Sequence, residues 1–178
     1  MPAAARSGLV ESGDNRLTPA EQNSVSVTLR PIKPADQPFQ LALYASTRDD
    51  LNLLDWDANQ KQMLIDMQFR AQSAQYSASY PQADNSIILI DEQPVGRMIV
   101  DRNQQAITLV DISILPARRN SGIGTVLIRE LIEEASASGR PVKLHVLKSN
   151  PAQALYLRLG FCIVGGDGLY FEMKLEAK

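Results

Sequence analysis

A short loop with two glycines is the segment of this chain best suited to bind an anion. It reads Arg118-Arg119-Asn120-Ser121-Gly122-Ile123-Gly124-Thr125, and it lies between a predicted strand that ends at Leu115-Pro116 and a strongly helical stretch. The glycines permit positive φ angles and a close approach of the backbone to a ligand. The helix that follows contributes unpaired N–H groups and the positive end of its dipole. The loop therefore predicts a cradle for phosphate groups.

The glycine spacing excludes two common nucleotide motifs. A dinucleotide fingerprint requires G-x-G-x-x-G, but Leu127 stands at the third glycine position. A Walker loop requires G-x-x-x-x-G-K-[ST], and that pattern does not occur in the sequence. The pattern that remains is Arg119-x-x-Gly122-x-Gly124.

A second motif follows the apolar stretch from Val142 to Leu147, and it reads Asn150-Pro151-Ala152-Gln153-Ala154-Leu155-Tyr156-Leu157-Arg158-Leu159-Gly160-Phe161. Asn150 is a good N-cap, proline suits the first helical position, and Gly160 suits the stop, so we predict a helix over 151–159. Ala152, Leu155, Tyr156 and Leu159 follow helical spacing and should face inward. A buried Tyr156 needs a partner for its hydroxyl group.

These two motifs, in this order, resemble the GCN5-related N-acetyltransferases (the GNAT family), which bind acetyl-CoA. The resemblance covers residues 86–175 well and residues 25–85 loosely. It implies that the glycine loop holds the pyrophosphate of acetyl-CoA and that backbone amides at the end of strand 107–115 hold the thioester oxygen. The family often has Gly at the position of Asn120, and asparagine tolerates the positive φ angle that this position requires. The cofactor contacts carried over from the family are Ile114, Leu115, Arg119, Asn120, Ser121, Gly122, Ile123, Gly124, Thr125 and Asn150.

Acetyl transfer to an amine needs a group that protonates the leaving thiolate and a group that accepts the amine's proton. The resemblance assigns the first role to Tyr156, although its helix position alone also suits a packed core tyrosine. Asp111 is the leading proton acceptor, because a carboxylate in an apolar strand needs hydrogen bonds, a partner or a function. A structural carboxylate that binds Ser113 or an arginine is the alternative. His145 on the strand 142–148, or an ordered water, could also serve as the base.

The acceptor is an amine of a small molecule, an amino acid or a peptide if the resemblance holds. The family's acceptor side corresponds here to a surface that includes Asp49, Asp50, Trp56, Gln68, Tyr76 and Tyr80. Two other functions compete with N-acetyl transfer. One is a non-catalytic module that binds acyl-CoA or a protein partner, and the other is an acyl carrier through Cys162. We expect Cys162 to be buried in a strand and therefore inert.

Composition fits one globular domain. The 178 residues are 44% hydrophobic and 21% charged, and the net charge of −2 does not favour nucleic-acid binding. No apolar run is long enough to span a membrane, and a single Cys with a single His gives no metal pattern. We expect a cytoplasmic protein, with monomer and homodimer both left open.

The predicted elements must position these residues on one scaffold. Residues 1–24 have the composition of a disordered tail, and residues 25–178 form the predicted domain. Their pattern predicts the order β-α-α-β-β-β-α-β-α-β-β, an α/β fold with a mixed, mainly antiparallel sheet flanked by helices, which is the GNAT arrangement. In the long second helix, about 59–79, we expect Met63, Leu64, Met67 and Ala71 to form the buried face.

Overall fold

The computed structural model describes residues 26–53 and 55–177, so the predicted tail of residues 1–24 lies outside the described residues. The described chain follows the predicted order of elements. Its strands are β1 (Val27–Pro31), β2 (Asp84–Ile90), β3 (Gln93–Arg102), β4 (Ile107–Ile114), β5 (Val142–Leu147), β6 (Cys162–Gly166) and β7 (Tyr170–Leu175). Its α-helices are α1 (Gln37–Ala45), α2 (Ala58–Ser79), α3 (Ile123–Ser138) and α4 (Gln153–Arg158).

The strands form one sheet in the order β1-β2-β3-β4-β5-β7-β6. Every neighbouring pair is antiparallel except β4 and β5, which run parallel. The prediction of a mixed, mainly antiparallel sheet is therefore confirmed. The parallel pair requires a long crossover connection, and α3 provides it.

Helices cover both faces of the sheet. The main core joins α3 and α4 to one face, where Leu127, Leu131, Tyr156 and Phe161 pack on strand residues such as Leu144. On the opposite face α2 packs against α1 through the rings of Tyr44 and Phe69, whose centroids lie 5.8 Å apart. The sheet therefore separates the α3–α4 side from the α1–α2 side, and any group that must reach both sides has to lie at an opening in the sheet.

Such an opening lies between β4 and β5. Only three residue pairs join these strands, and the last of them is Leu109 opposite Leu144. Beyond that pair β4 continues to Ile114, still paired with β3, while β5 continues to Leu147, still paired with β7. The two strands therefore splay apart at their carboxyl ends, and each presents an edge to the gap between them.

A β-bulge in β4 decides which side chains face α2. Ile99 of β3 lies opposite Asp111, but the next residue, Val100, lies opposite Leu109, so Val110 is the extra residue. Side chains alternate along a strand, and without this insertion Asp111 would share the core face with Leu109. The bulge instead turns Asp111 toward the α1–α2 side.

The predicted buried face of α2 is wrong. Met63, Met67 and Ala71 are exposed, and only Leu64 of the predicted set is partly covered. The helix turns Phe69 toward the sheet, together with the half-buried polar side chains Gln68, Gln72 and Tyr76. The prediction failed because it assumed an apolar inner face, whereas α2 uses Gln72 to contact a buried arginine of β3.

Candidate functional site

The glycine loop forms the start of α3 as expected. Gly122 is the N-cap residue and has φ +86°, and Asn120 has φ +60°, so the asparagine adopts the left-handed conformation that the sequence analysis required of it. Within the described residues, no hydrogen-bond partner occurs for the backbone amides of residues 120–125, and the first helical bond runs from the amide of Val126 to the carbonyl of Gly122. This run of free N–H groups at a helix N-terminus favours an anion.

Gly124 joins the cradle to the rest of the site. A Cβ atom built on this residue would lie 3.5 Å from Leu155 Cδ2 of α4 and 3.9 Å from Ile114 Cδ1 of β4. These are ordinary van der Waals distances. The start of α3, the end of β4 and the helix α4 therefore meet at the glycine loop, which lies at the splayed end of the strands.

Arg119 and Asn150, two of the predicted cofactor contacts, make bonds within the protein. The guanidinium of Arg119 donates from Nε to the carbonyl of Ile114 (2.9 Å) and from Nη2 to the carbonyl of Ser46 (3.2 Å). Arg119 thus links the cradle to β4 and to the end of α1. The Asn150 side chain accepts from the amide of Ala152 (2.9 Å), and α4 begins two residues later than predicted, at Gln153.

The two backbone amides predicted to hold the thioester oxygen differ in direction. The amide of Leu115 donates to the carbonyl of Val95 across the β3–β4 ladder, at 2.9 Å. Adjacent residues in a strand point their N–H groups to opposite sides, so the amide of Ile114 faces away from β3 and toward the gap. Ile114 is therefore the predicted donor that faces the opening.

Tyr156 lies on the inward face of α4, as its spacing predicted. Its ring is buried and packs edge-on against Phe161, with the centroids 5.8 Å apart. No hydrogen bond to its hydroxyl group occurs within the part of the chain that the structure describes. Burial, and then the negative charge of Asp111, raise the pKa of Tyr156 to about 12. The phenol therefore keeps its proton at neutral pH, and the charge of the Asp111 carboxylate contributes to this shift of its pKa.

Asp111 is paired with an arginine that the sequence analysis did not identify. Arg97 of β3 is 4% exposed and donates to Asp111 Oδ2 from Nη2 (2.8 Å) and from Nε (3.2 Å). Ser113 Oγ lies 3.3 Å from the same oxygen, and Gln72 Oε1 of α2 accepts from Arg97 Nη2 at 3.5 Å. Like Asp111, Arg97 is a charged residue within an apolar stretch of its strand. Opposite charges in two neighbouring apolar strands are a signal from which the ion pair could have been predicted.

His145 and Cys162 occupy other parts of the sheet. His145 is exposed on β5, on the face opposite to the core residue Leu144. Cys162 is exposed on the edge strand β6, so the expectation of a buried thiol is wrong. Cys162 lies opposite Lys174, at the end of β7 far from the splayed end of the sheet. Its distance from the gap, rather than burial, argues against an acyl carrier at this cysteine.

Part of the predicted acceptor surface lies near Asp111, and its role in binding an acceptor stays a prediction. Burial, and then the charge of Asp111, raise the pKa of Tyr76 to about 12, and the charge of Arg97 acts in the opposite direction. Arg48 holds Asp50 through a hydrogen bond of 2.6 Å and lowers the pKa of that carboxyl group. Asp50 is thus already paired with a cation, and the side chain of Asp49 lies outside the described part of the chain.

These features define the class of protein. A mixed sheet splays at one parallel pair, an anion cradle lies at the splayed end, and the helix that carries a protonated phenol packs beside the cradle. This is an α/β protein suited to an extended ligand that carries phosphate groups at one end. The model of the Acetyltransferase (GNAT) family matches residues 48–161, more than half of the chain, and the chain belongs to this family.

Solved structures agree with this assignment. The PaiA N-acetyltransferase from Thermoplasma acidophilum, solved with coenzyme A, superposes with a TM-score of 0.63 at 16% identity over 85% of this chain and 99% of its own. An acetyltransferase from Thermus thermophilus gives 0.61 at 18% identity over 85% and 97%. The ribosomal-protein-S18-alanine N-acetyltransferase from Escherichia coli gives 0.57 at 20% identity over 86% and 95%.

No curated protein matches this sequence. At these identities the solved structures establish the fold, and the family model establishes the acetyltransferase family. Members of the family use acetyl-CoA, which is therefore the cosubstrate of this chain. Within residues 26–53 and 55–177, no helix is both long enough and apolar enough to cross a bilayer.

Proposed function

We propose that this protein is an N-acetyltransferase that moves the acetyl group of acetyl-CoA to a primary amine of a small molecule, an amino acid or a peptide, by direct attack in a ternary complex. The observation that carries the proposal is that the start of α3, the end of β4 and the helix α4 meet at Gly124, beside the splayed end of β4 and β5. The start of α3 supplies the free amides of residues 120–125, the end of β4 supplies the gap-facing amide of Ile114, and α4 carries the buried Tyr156. We expect the protein to work in the cytoplasm.

The cradle would hold the pyrophosphate of acetyl-CoA. Free N–H groups at a helix N-terminus bind phosphate oxygens, and the two glycines keep side chains out of the way. The pantetheine arm would then run along the free edge of β4, as an added strand does. There the Ile114 amide would donate to the thioester oxygen as negative charge develops on it. Asn150 and the guanidinium of Arg119 would add contacts at the two ends of the arm.

Tyr156 would donate to the sulfur that leaves. Its raised pKa keeps the proton on the phenol at neutral pH. A thiol has an ordinary pKa of about 8.5, so complete transfer from this phenol is uphill. The larger part of the effect is therefore the hydrogen bond to the leaving sulfur, which stabilises charge as the bond to the acetyl group breaks.

Asp111 would take the proton of the attacking amine, directly or through a water molecule. Arg97 bonds its Oδ2, while among residues 26–53 and 55–177 the one hydrogen bond to Oδ1 comes from Ser113 Oγ, at 3.4 Å. Oδ1 is thus the oxygen available to the amine. His145 remains the rival base, because it lies exposed on the neighbouring strand. Replacing each residue separately would identify the base, since only the working base should change the pH dependence of kcat/KM.

The test is release of free CoA from acetyl-CoA with a panel of primary amines. We expect Tyr156→Phe to lower kcat by about 100-fold or more while the affinity for acetyl-CoA stays within a few-fold. Tyr44→Phe is the control for loss of a phenol hydroxyl, because it removes one from α1, on the face of the sheet opposite to Tyr156. Equal turnover in wild type and Tyr156→Phe would exclude the proposed role. Binding of acetyl-CoA without turnover on any amine would favour the non-catalytic module.

A further inference from the structure

The outer face of α2 carries an exposed apolar stripe. Its members follow one another at intervals of three or four residues, so they lie along one side of the helix: Met63, Met67, Ala71, Ala74 and Ala78. All five are exposed, and the exposed fraction is 72% for Met63 and 60% for Met67. A helix face of this kind is typical of a contact with another molecule. We call it the α2 stripe.

The two halves of the α2 stripe differ in size. The N-terminal half has the two methionines, and the C-terminal half has the three alanines. If two copies of the stripe pack antiparallel, each methionine lies against an alanine of the other copy, and the large side chains fill the space that the small ones leave. In a parallel pair methionine would meet methionine, and the alanines would face each other across a gap. The stripe therefore complements a second copy of itself in the antiparallel direction.

The methionine–alanine pairings share one centre along the helix. A pairing of Met67 with Ala71 is centred on Phe69, and a pairing of Met63 with Ala74 is centred half a residue earlier. The midpoint of α2 is also half a residue before Phe69. A twofold axis at this point would overlap the two helices along their whole length, and every contact would occur twice.

Two charged residues beside the α2 stripe favour the same arrangement. Asp66 and Arg70 lie on one flank of the stripe, and a pairing between them is centred within one residue of the midpoint of α2. In an antiparallel pair with a twofold axis, the same flank of each helix meets, so Asp66 of one copy faces Arg70 of the other. Asp66 accepts from Gln62 Nε2 of its own helix at 2.8 Å, and among the described residues Arg70 forms no ion pair. A parallel pair would place this flank against the flank of the uncharged Gln75.

We propose that the α2 stripe is the docking surface for a second copy of this chain, with the two helices antiparallel about a twofold axis at their midpoints. The inner face of α2, the cradle and the gap stay outside this contact. The inference therefore goes beyond acetyl transfer and does not depend on it.

The size of the contact indicates how tight the dimer is. One face of a 22-residue helix is about 33 Å long and about 10 Å wide, so it covers roughly 330 Å². Leu53 and Trp56, which are 88% and 46% exposed just before α2, add apolar surface where each helix begins. A standard interface buries about 800 Å² on each partner, so we expect a dimer that dissociates on dilution.

Sedimentation equilibrium of the full chain tests the proposal over protein concentrations from about 1 μM to 1 mM, which cover weak association. The mean mass of wild type should rise from 19.6 kDa toward twice this value. Met67→Glu places a charge at the centre of the stripe and should weaken association by about tenfold or more. Leu157→Glu is the matched control, because it adds the same charge at a 52% exposed apolar residue of α4, on the other face of the sheet. It should leave association unchanged.

Charge reversal tests the antiparallel register. Asp66→Arg and Arg70→Asp each place like charges opposite each other across the twofold axis, so each should weaken association by about tenfold. The double reversal restores opposite charges, and association should return to the wild-type level. Arg129→Asp, at an exposed arginine of α3, is the control for the change in net charge. Urea midpoints of all variants check the fold, since a role within one helix would shift the midpoint and leave association unchanged.

Three outcomes would overturn the proposal. One is a wild-type chain that stays monomeric up to 1 mM. Another is a dimer as tight in Met67→Glu as in wild type, because a different surface would then form it. The third is a monomer that binds vesicles of phosphatidylcholine and phosphatidylserine through the stripe, with Met67→Glu abolishing that binding. Release of CoA, measured at a concentration at which the protein is monomeric, reports on acetyl transfer separately, so the two proposals fail independently.

Discussion

Replacing Arg97 by methionine should lower the stability of this protein by a large fraction. The side chain of Arg97 is 5% exposed and that of Asp111 is 17% exposed, so the pair is shielded from water. Without the guanidinium, the hydrogen-bond partner that the described residues leave to the carboxylate is the hydroxyl of Ser113, at 3.3 Å. Breaking a buried ion pair on one side costs about 3–5 kcal/mol. A small domain has a total stability of about 5–15 kcal/mol, so the variant should still fold at room temperature.

Urea unfolding measures this cost. With a slope of about 2 kcal/mol per molar urea, a loss of 3–5 kcal/mol lowers the midpoint by roughly 1.5–2.5 M. Arg102→Met is the matched control, because Arg102 also pairs with carboxylates, Asp84 and Glu134, but its side chain is 33% exposed. Pairs at the surface contribute about 0–1 kcal/mol, so the control should shift the midpoint little. Equal midpoints for Arg97→Met and wild type would refute the reasoning.

The double variant Arg97→Met with Asp111→Asn separates structure from catalysis. Removing both charges takes away the uncompensated carboxylate, so most of the lost stability should return, with a coupling energy of about 2–3 kcal/mol. If Asp111 accepts the proton of the amine, turnover should stay low in this stable protein. If activity returns together with stability, Asp111 is a structural carboxylate. A double variant no more stable than the single would show that the two charges do not act as a pair.

Three further outcomes are expected. Gly122→Ala and Gly139→Ala both force alanine into a left-handed conformation with no steric contact, so each should cost about 1 kcal/mol, but only Gly122→Ala should weaken acetyl-CoA binding in calorimetry. Tyr76 and Tyr156 should ionise near pH 12 in an absorbance titration. Because both pKa values exceed those of tyrosine in the unfolded chain, the two protonated phenols stabilise the fold fully below pH 10, and this stabilisation is lost between pH 10 and 12. Cys162 should react with a thiol reagent in the native protein without loss of acetyl-CoA binding.

The cradle was predictable because its determinants are local. Gly122, Asn120 and the start of α3 are adjacent in sequence, and their conformations follow from residue type. The same is true of Tyr156, whose inward position follows from helical spacing along α4. The element order was predictable for a related reason, since each strand and helix carries its own apolar period.

The α1–α2 side of the sheet was less predictable because its determinants are distant in sequence. Apolar spacing does not predict the inner face of α2, because that face carries the polar side chains Gln72 and Tyr76. Gln72 contacts Arg97 of β3, which is distant in sequence. Nothing local to Val110 indicates a bulge, which depends on the register between β3 and β4. Each of these features is a relation between elements, and hydrophobic pattern does not encode it.

The bulge at Val110 shows how one extra residue lets a single strand serve two parts of the proposed reaction. Before the bulge, β4 places Ile107 and Leu109 in the core and pairs with β5. After it, Ile112 and Ile114 take the core positions, and Asp111 points to the opposite face. The carboxylate therefore lies on the α1–α2 side, while the Ile114 amide, three residues later, lies in the plane of the sheet and faces the gap. A regular strand of the same sequence would bury Asp111 against α3, away from Arg97, so the register shift is what allows an apolar strand to carry the carboxylate proposed as the base.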